Sequence, residues 1–477
     1  MRRVIRTIAS WWPSLRLVVP AEIAVAEDDQ RQVAPYGSRI MAVLLFGQAF
    51  SLVGSGLTAF ALGVKVFQET GSVTRMGTLV MFASLPGILL SPVAGAIVDR
   101  WDRRWVLIAS NVGAALSTLS LTIPLFLGHL ELWEVYLAIS MVSSFAALQS
   151  PAYAVATTLL VPRQHLGRVN GVTQFLAAII LILTPFLGGV LIARIKVHQI
   201  VWIDVATYLV AILTLAVVRI PSVAKAPDES SGRSFRQDIT FGWSYITQRR
   251  GLFVLLLFGA FVNFALTLGQ VLTIPVVLSL STSYMLGVVQ ALGGVGVVLG
   301  SVLLVAWGIR QRQVRTMLRL TLLFGFALAC AGWRPALLTI AAGILVGWFC
   351  IPLISGCIQV IWQTRTPVGV QGRVFATRLM IGRSTIPLAP LVAGPLADHL
   401  FGPLLTPGGA LSESVGKIIG VGPGRGAALL LVLTGITTVL IGLAAHRVRE
   451  LRMLDQEELG TISNVSCAQA VPNRPAA

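Results

Sequence analysis

Residues 73–128 read VTRMGTLVMFASLPGILLSPVAGAIVDRWDRRWVLIASNVGAALSTLSLTIPLFLG. Two apolar stretches flank one short charged turn, Asp99-Arg100-Trp101-Asp102-Arg103-Arg104. Each stretch is long enough to cross a hydrocarbon core of about 30 Å as a helix. A barrel strand would instead alternate apolar and polar residues over about ten positions, and neither stretch does so. The passage predicts a transmembrane helical hairpin.

The same unit recurs through 477 residues that are 55% hydrophobic and 12% charged. Soluble domains carry about 25% charged residues, so little water-facing surface can be built here. The expected fold is an all-α membrane protein with twelve transmembrane helices in two six-helix halves. Expected spans are 40–67, 73–98, 104–128, 133–160, 170–194, 198–218, 251–280, 284–307, 317–333, 335–362, 377–401 and 426–446.

A net charge of +17 could suggest nucleic acid, but the arginines cluster in short turns between apolar blocks. That is the pattern of loops facing an anionic inner leaflet. Loops after even-numbered spans hold eighteen Lys and Arg, whereas odd-numbered loops hold seven. Both termini are therefore expected in the cytoplasm, in a bacterial inner membrane.

The domain reading follows: a cytoplasmic N-terminal tail over 1–39, halves over 40–220 and 251–446, and a cytoplasmic C-terminal tail over 447–477. The linker, 221–250, carries Phe235, Ile239, Trp243 and Ile246 at helical spacing, as in an amphipathic helix on the inner leaflet. The apolar stretch after Arg2, Arg3 and Arg6 is interrupted by Pro13 and Arg16, too soon for a signal-peptide core.

The halves repeat with an offset of 205. Gly167-Arg168-Val169 recurs as Gly372-Arg373-Val374, and the offset also relates Pro162 to Pro367, Gly95 to Gly300, Pro185 to Pro390 and Gly189 to Gly394. Two related six-span halves are a signature of pseudo-twofold transporters.

After span 2, Gly95, Asp99, Arg100, Arg103 and Arg104 give a Gly-x-x-x-Asp-Arg-x-x-Arg-Arg spacing. The glycine admits a neighbouring helix, and the carboxylate can accept from a helix N-terminus or an arginine. Such a contact can act as a conformational latch. The passage resembles motif A of the major facilitator superfamily. Span 5 resembles the superfamily's antiporter motif at Gly171, Pro185, Gly188 and Gly189, with Ile180 and Thr184 replacing two of its glycines.

Glu69-Thr70-Gly71-Ser72, Leu85-Pro86 and Asp99-Arg100 are similar to the drug:proton antiporter branch containing macrolide efflux proteins and the enterobactin exporter. The resemblance covers about residues 40–446. It implies export of a hydrophobic drug, siderophore or peptide-like natural product by alternating access, with proton antiport. It differs in that span 4 holds no arginine or lysine, and the second copy of motif A lacks its Asp.

Asp99, Asp204 and Asp398 are carboxylates within or at the edge of the expected spans. Carboxylates at membrane depth are costly and so are functional candidates. Asp204 and Asp398 are the candidates for proton coupling, with simple capping or interface hydrogen bonding as the alternative. Gln48, Gln149, Gln174, Asn263, Gln270 and Gln359 are candidate polar groups of a cavity, although helix–helix hydrogen bonds would use the same residues. Arg383 either snorkels to the inner surface or contacts a substrate anion or an Asp. The Gly- and Pro-rich loop over 402–425 is expected to cover the outer mouth.

No cofactor or metal is expected, because no His/Cys cluster has ligand spacing. An ATP-driven pump lacks its Gly-x-x-x-x-Gly-Lys-[Ser/Thr] loop, and no catalytic constellation supports an enzyme. Expected partners are a small-molecule substrate, protons and the bilayer, around a monomer. The alternatives are uptake or facilitated diffusion of a metabolite in the same fold, and a non-transporting sensor or scaffold.

Overall fold

A computed structural model describes residues 37–160, 163–218, 235–307 and 313–454. Residues 1–36, 161–162, 219–234, 308–312 and 455–477, which hold most of both expected tails and the first part of the linker, lie outside the described residues. Within them, twelve helices are long and apolar enough to cross a membrane.

Spans 1–6 run Gly37–Thr70, Val73–Arg100, Arg103–Ser120 with its continuation Thr122–Leu127, Leu132–Leu160, Arg163–Ile192 and Val197–Val217. Spans 7–12 run Arg250–Leu278, Ser283–Trp307, Gln313–Trp333, Leu337–Arg365, Val368–Pro395 and Arg425–Arg447. Between the halves, Phe235–Thr247 forms the helix expected in the linker. It buries Ile246 in the core of the second half and leaves Trp243 exposed.

Small residues set the helix spacing, because lipid tails give apolar side chains no reason to prefer one another. A Cβ on Gly300 of span 8 would lie 2.2 Å from Phe349 O of span 10. One on Gly325 of span 9 would lie 2.8 Å from Gly435 O of span 12. Both glycines bring backbones within van der Waals contact inside the second half.

The halves meet along two seams. Span 5 packs on span 8, and span 11 packs on span 2. The residues that repeat between the halves sit on those seams. A Cβ on Gly287 of span 8 would lie 2.5 Å from Pro185 O and 2.9 Å from the Gly189 Cα. Correspondingly, Gly77 of span 2 abuts Pro390, and Gly394 abuts the Thr74 backbone. We call the end of the bundle at these contacts distal, and the end bearing motif A proximal.

Each seam opens toward the proximal end. Residues seven or eleven apart share a helix face. Ile182 and Gly189 contact span 8, whereas Phe175 on the same stripe is exposed. Gly287 and Gly294 contact span 5, but Val305 on that stripe is 85% exposed. Gly77 is buried and Ser91 is exposed; Pro390 and Gly394 are buried and Arg383 is exposed. The halves therefore close at the distal end and part toward the proximal end, leaving a cleft.

Candidate functional site: distal seam, buried carboxylate and cleft

The distal seam is closed by Asp398. Span 11 ends at Pro395 and continues as one π turn, Leu396–Phe401, which carries the carboxylate across to the other half. Its Oδ2 accepts from Ser72 Oγ at 2.7 Å, Thr74 N at 2.8 Å and Thr74 Oγ1 at 2.8 Å. Its Oδ1 accepts from Val73 N at 3.0 Å. The first N–H groups of a helix have no intrahelical acceptor and carry partial positive charge. Asp398 satisfies two of them in a helix of the opposite half. Gln68 Nε2 adds a bond to Ser283 Oγ across the other seam, at 3.1 Å.

Asp204 is elsewhere. It is 1% exposed and lies inside the first half, between spans 1 and 6, away from the inter-half seams. Gly54 makes room for it, since a Cβ there would stand 2.8 Å from Asp204 Oδ1. Ser55 Oγ lies 3.3 Å from Oδ1, 2.8 Å from Tyr208 Oη and 2.9 Å from Ser51 O. A serine hydroxyl has one proton to give, so Ser55 chooses between acceptors while Tyr208 can donate to it. Thr207 Oγ1 donates to Asp204 O at 2.7 Å. Thr58, one turn along from Ser55, turns its buried hydroxyl toward the same carboxylate. Among the described residues no cation pairs with Asp204; Lys65 pairs with Glu69 instead.

At the proximal end, Arg104 donates to the last carbonyls of span 6: Nε to Leu215 O at 3.0 Å and Nη2 to Ala216 O at 2.6 Å. A cation at a helix C-terminus is favoured by the dipole. Asp102 caps span 3, its Oδ1 accepting from Arg104 N at 2.8 Å. Arg103 is partly buried, with a buried Nε lacking a partner. Gly95, Asp99 and Arg100 are helical, and Gly171 and Gln174 likewise; their side-chain environment lies outside the described residues. Of the antiporter motif, Gly188 abuts the Phe60 ring of span 1, while Pro185 and Gly189 form the seam with span 8.

The candidate cavity groups divide. Gln48 Nε2 donates to Gln149 Oε1 at 3.3 Å between spans 1 and 4, a helix–helix bond. Gln359 accepts from Arg378 Nη1 at 2.9 Å and is committed to span 11. Asn263 and Gln270 are exposed on one face of span 7, and Arg383 is exposed on span 11.

The loop over 402–424 is held together largely by its own bonds. Gly422 N donates to Leu405 O, Gly416 N to Leu411 O, and Arg425 Nη1 to Ile419 O. Leu405 and Ile419 are buried in the core of the second half. The apolar residues among its glycines bury it against the bundle, and these bonds run within the loop and to Arg425 at the start of span 12.

Geometry of this kind, two six-helix halves in contact at one end and parted at the other, has known counterparts. The profile of the Major Facilitator Superfamily matches residues 44–390. The chain belongs to this superfamily. Macrolide efflux protein A of Streptococcus pyogenes is 26% identical over 363 residues, covering 74% of this chain and 88% of that protein. Multidrug efflux pump Tap of Mycolicibacterium fortuitum is 24% identical over 369 residues, covering 75% and 89%.

Among solved structures, a bacterial homolog of the human lysosomal transporter Spinster, inward-facing and unoccupied, gives a TM-score of 0.66. Identity is 14%, and the match covers 89% of this chain and 98% of that one. The nucleoside transporter NupG gives 0.65 at 11% identity, covering 86% and 100%. These likenesses show the fold. As a member of the Major Facilitator Superfamily, the chain is a multi-pass membrane transporter and not an enzyme.

Proposed function

We propose that this transporter is a secondary exporter of amphiphilic small molecules, drugs, siderophores or peptide-like natural products, acting in a bacterial plasma membrane by proton antiport. The carrying observation is the cleft. It is closed distally by the Asp398 cap and open at the end bearing motif A, the end that the arginine distribution assigns to the cytoplasm. An exporter loads its substrate in that state.

The two halves then rock about the loaded cleft. Asp398 and the Gly287–Pro185 contact release, the distal seams part, and the substrate leaves outward. The efflux proteins among its relatives support the direction. Asp204 is the candidate proton carrier, because it is a buried carboxylate paired with no cation among the described residues, held on span 1 through Ser55 and Gly54. Proton exchange there changes the hydrogen bonding between spans 1 and 6. Asp398 has a different task, holding the distal closure.

Retention in cells tests the direction. Cells expressing the protein are expected to retain several-fold less of a labelled macrolide, catecholate siderophore or cyclic peptide than cells with an empty vector. Greater retention in expressing cells would overturn export and favour uptake.

A further inference from the structure

Arg383 is a cation at membrane depth with no described hydrogen bond or ion pair. Its face is fixed by its neighbours on span 11. Pro390 and Gly394, seven and eleven residues on, share its stripe and press on Gly77 and Thr74 of the opposite half. Arg383 therefore points into the cleft between the halves, at the level where they have parted. A lipid-facing snorkelling position would need the opposite side of the helix.

Among the described residues no carboxylate is paired with Arg383. Spans 2 and 11 run antiparallel, with Gly77 level with Pro390 and Thr74 level with Gly394. Arg383 thus stands level with Ser84, while Asp99 is fifteen residues further along span 2. At 1.5 Å per residue that is roughly 22 Å. Asp204 is enclosed in the first half and Asp398 is bound at the distal cap. A Cβ on the neighbouring Gly382 would be 3.6 Å from Asn263 Nδ2, so an exposed amide donor of span 7 lies against span 11 at this level. Leu379 and Phe175 are exposed on the cleft-facing stripes of spans 11 and 5.

A cation this deep is expensive unless something pairs with it, and a guanidinium matches planar anions through two parallel hydrogen bonds. We infer that Arg383, with Asn263 at the same level, forms an anion subsite in the cleft. It would bind the carboxylate or phosphate of an otherwise apolar ligand. This rests on the reading of the cleft as the transport path, and narrows its substrates toward acidic amphiphiles.

The test compares carboxyfluorescein and rhodamine 123, anionic and cationic dyes on one tricyclic scaffold, binding to the purified full chain in phosphatidylcholine nanodiscs. The parent is expected to bind carboxyfluorescein, and Arg383→Gln to weaken that binding at least tenfold. Arg383→Lys is expected to recover part of it, and rhodamine binding to be no weaker in Arg383→Gln, which also reports an intact cleft. Equal carboxyfluorescein affinity in parent and Arg383→Gln would overturn the inference, as would no anion binding by the parent. Weaker dye binding in phosphatidylglycerol discs would identify a lipid phosphate as a natural occupant; unchanged binding would assign the subsite to free solutes. Dye binding without export from cells would remove the exporter reading and leave the subsite standing.

Discussion

Asp398→Ala is expected to release the distal closure. The carboxylate accepts four hydrogen bonds from the start of span 2, and alanine leaves those donors to water. Hydrogen bonds to a charged group contribute roughly 1.5–3 kcal/mol each when well formed. Asp398 is half-buried and its donors can find water once freed, so the bonds do not add. A net change of about 1–3 kcal/mol corresponds to a shift of about 5–150-fold between the two states. Spin labels at Glu69 and Tyr284, exposed distal positions in opposite halves, measure it. The distance distribution should gain a longer component in Asp398→Ala and a smaller one in Asp398→Asn, which keeps one acceptor oxygen. Distributions identical to the parent would show that the cap does not hold the seam.

Asp204→Asn is expected to separate binding from proton movement. The amide keeps the volume of the carboxylate and can still accept from Ser55, so the packing of Gly54 on span 6 survives. It cannot gain and lose a proton in the transport cycle. In inverted vesicles with an acidified lumen, substrate-induced proton release should fall at least tenfold, to the level of empty vesicles. Substrate affinity and melting temperature should change little. Proton release equal to the parent's would remove Asp204 from the coupling path. A collapse in melting temperature would instead place it among groups that only hold spans 1 and 6 together.

The helical hairpin at 73–128 makes the membrane class legible, because hydropathy and loop charge are local properties of the chain. The offset of 205 does more. It relates Pro185 to Pro390 and Gly189 to Gly394 by sequence alone, and these four residues line the seams between the halves. Partners distant in sequence are not legible. Asp398 stands out as a costly carboxylate, but Thr74 lies 324 residues away, and no periodicity relates them.

Local signals do exist for the serines and the cap that hydropathy and motif spacing pass over. Ser51 and Ser55 share a face of span 1, as Asp204 and Tyr208 share one of span 6, each pair one turn apart. Asp102 stands directly before a helix in the position a capping residue takes. Arg383 shows the limit most clearly. Whether it faces lipid, solvent or cleft depends on which neighbour Pro390 touches, and that is a tertiary fact. The loop over 402–424 shows a related limit: its glycines and prolines promise a turn-rich segment but do not say which surface Leu405 and Ile419 will find.

Directed flux in inverted vesicles tests the central claim that the chain exports by proton-driven alternation of this cleft. The vesicles carry a labelled macrolide, siderophore or cyclic peptide outside and an acidified lumen. At least one of these is expected to accumulate above its outside concentration, an accumulation abolished when the proton gradient is collapsed and absent from vesicles without the protein. Accumulation that never exceeds the outside concentration, or that is indifferent to the gradient, would contradict it.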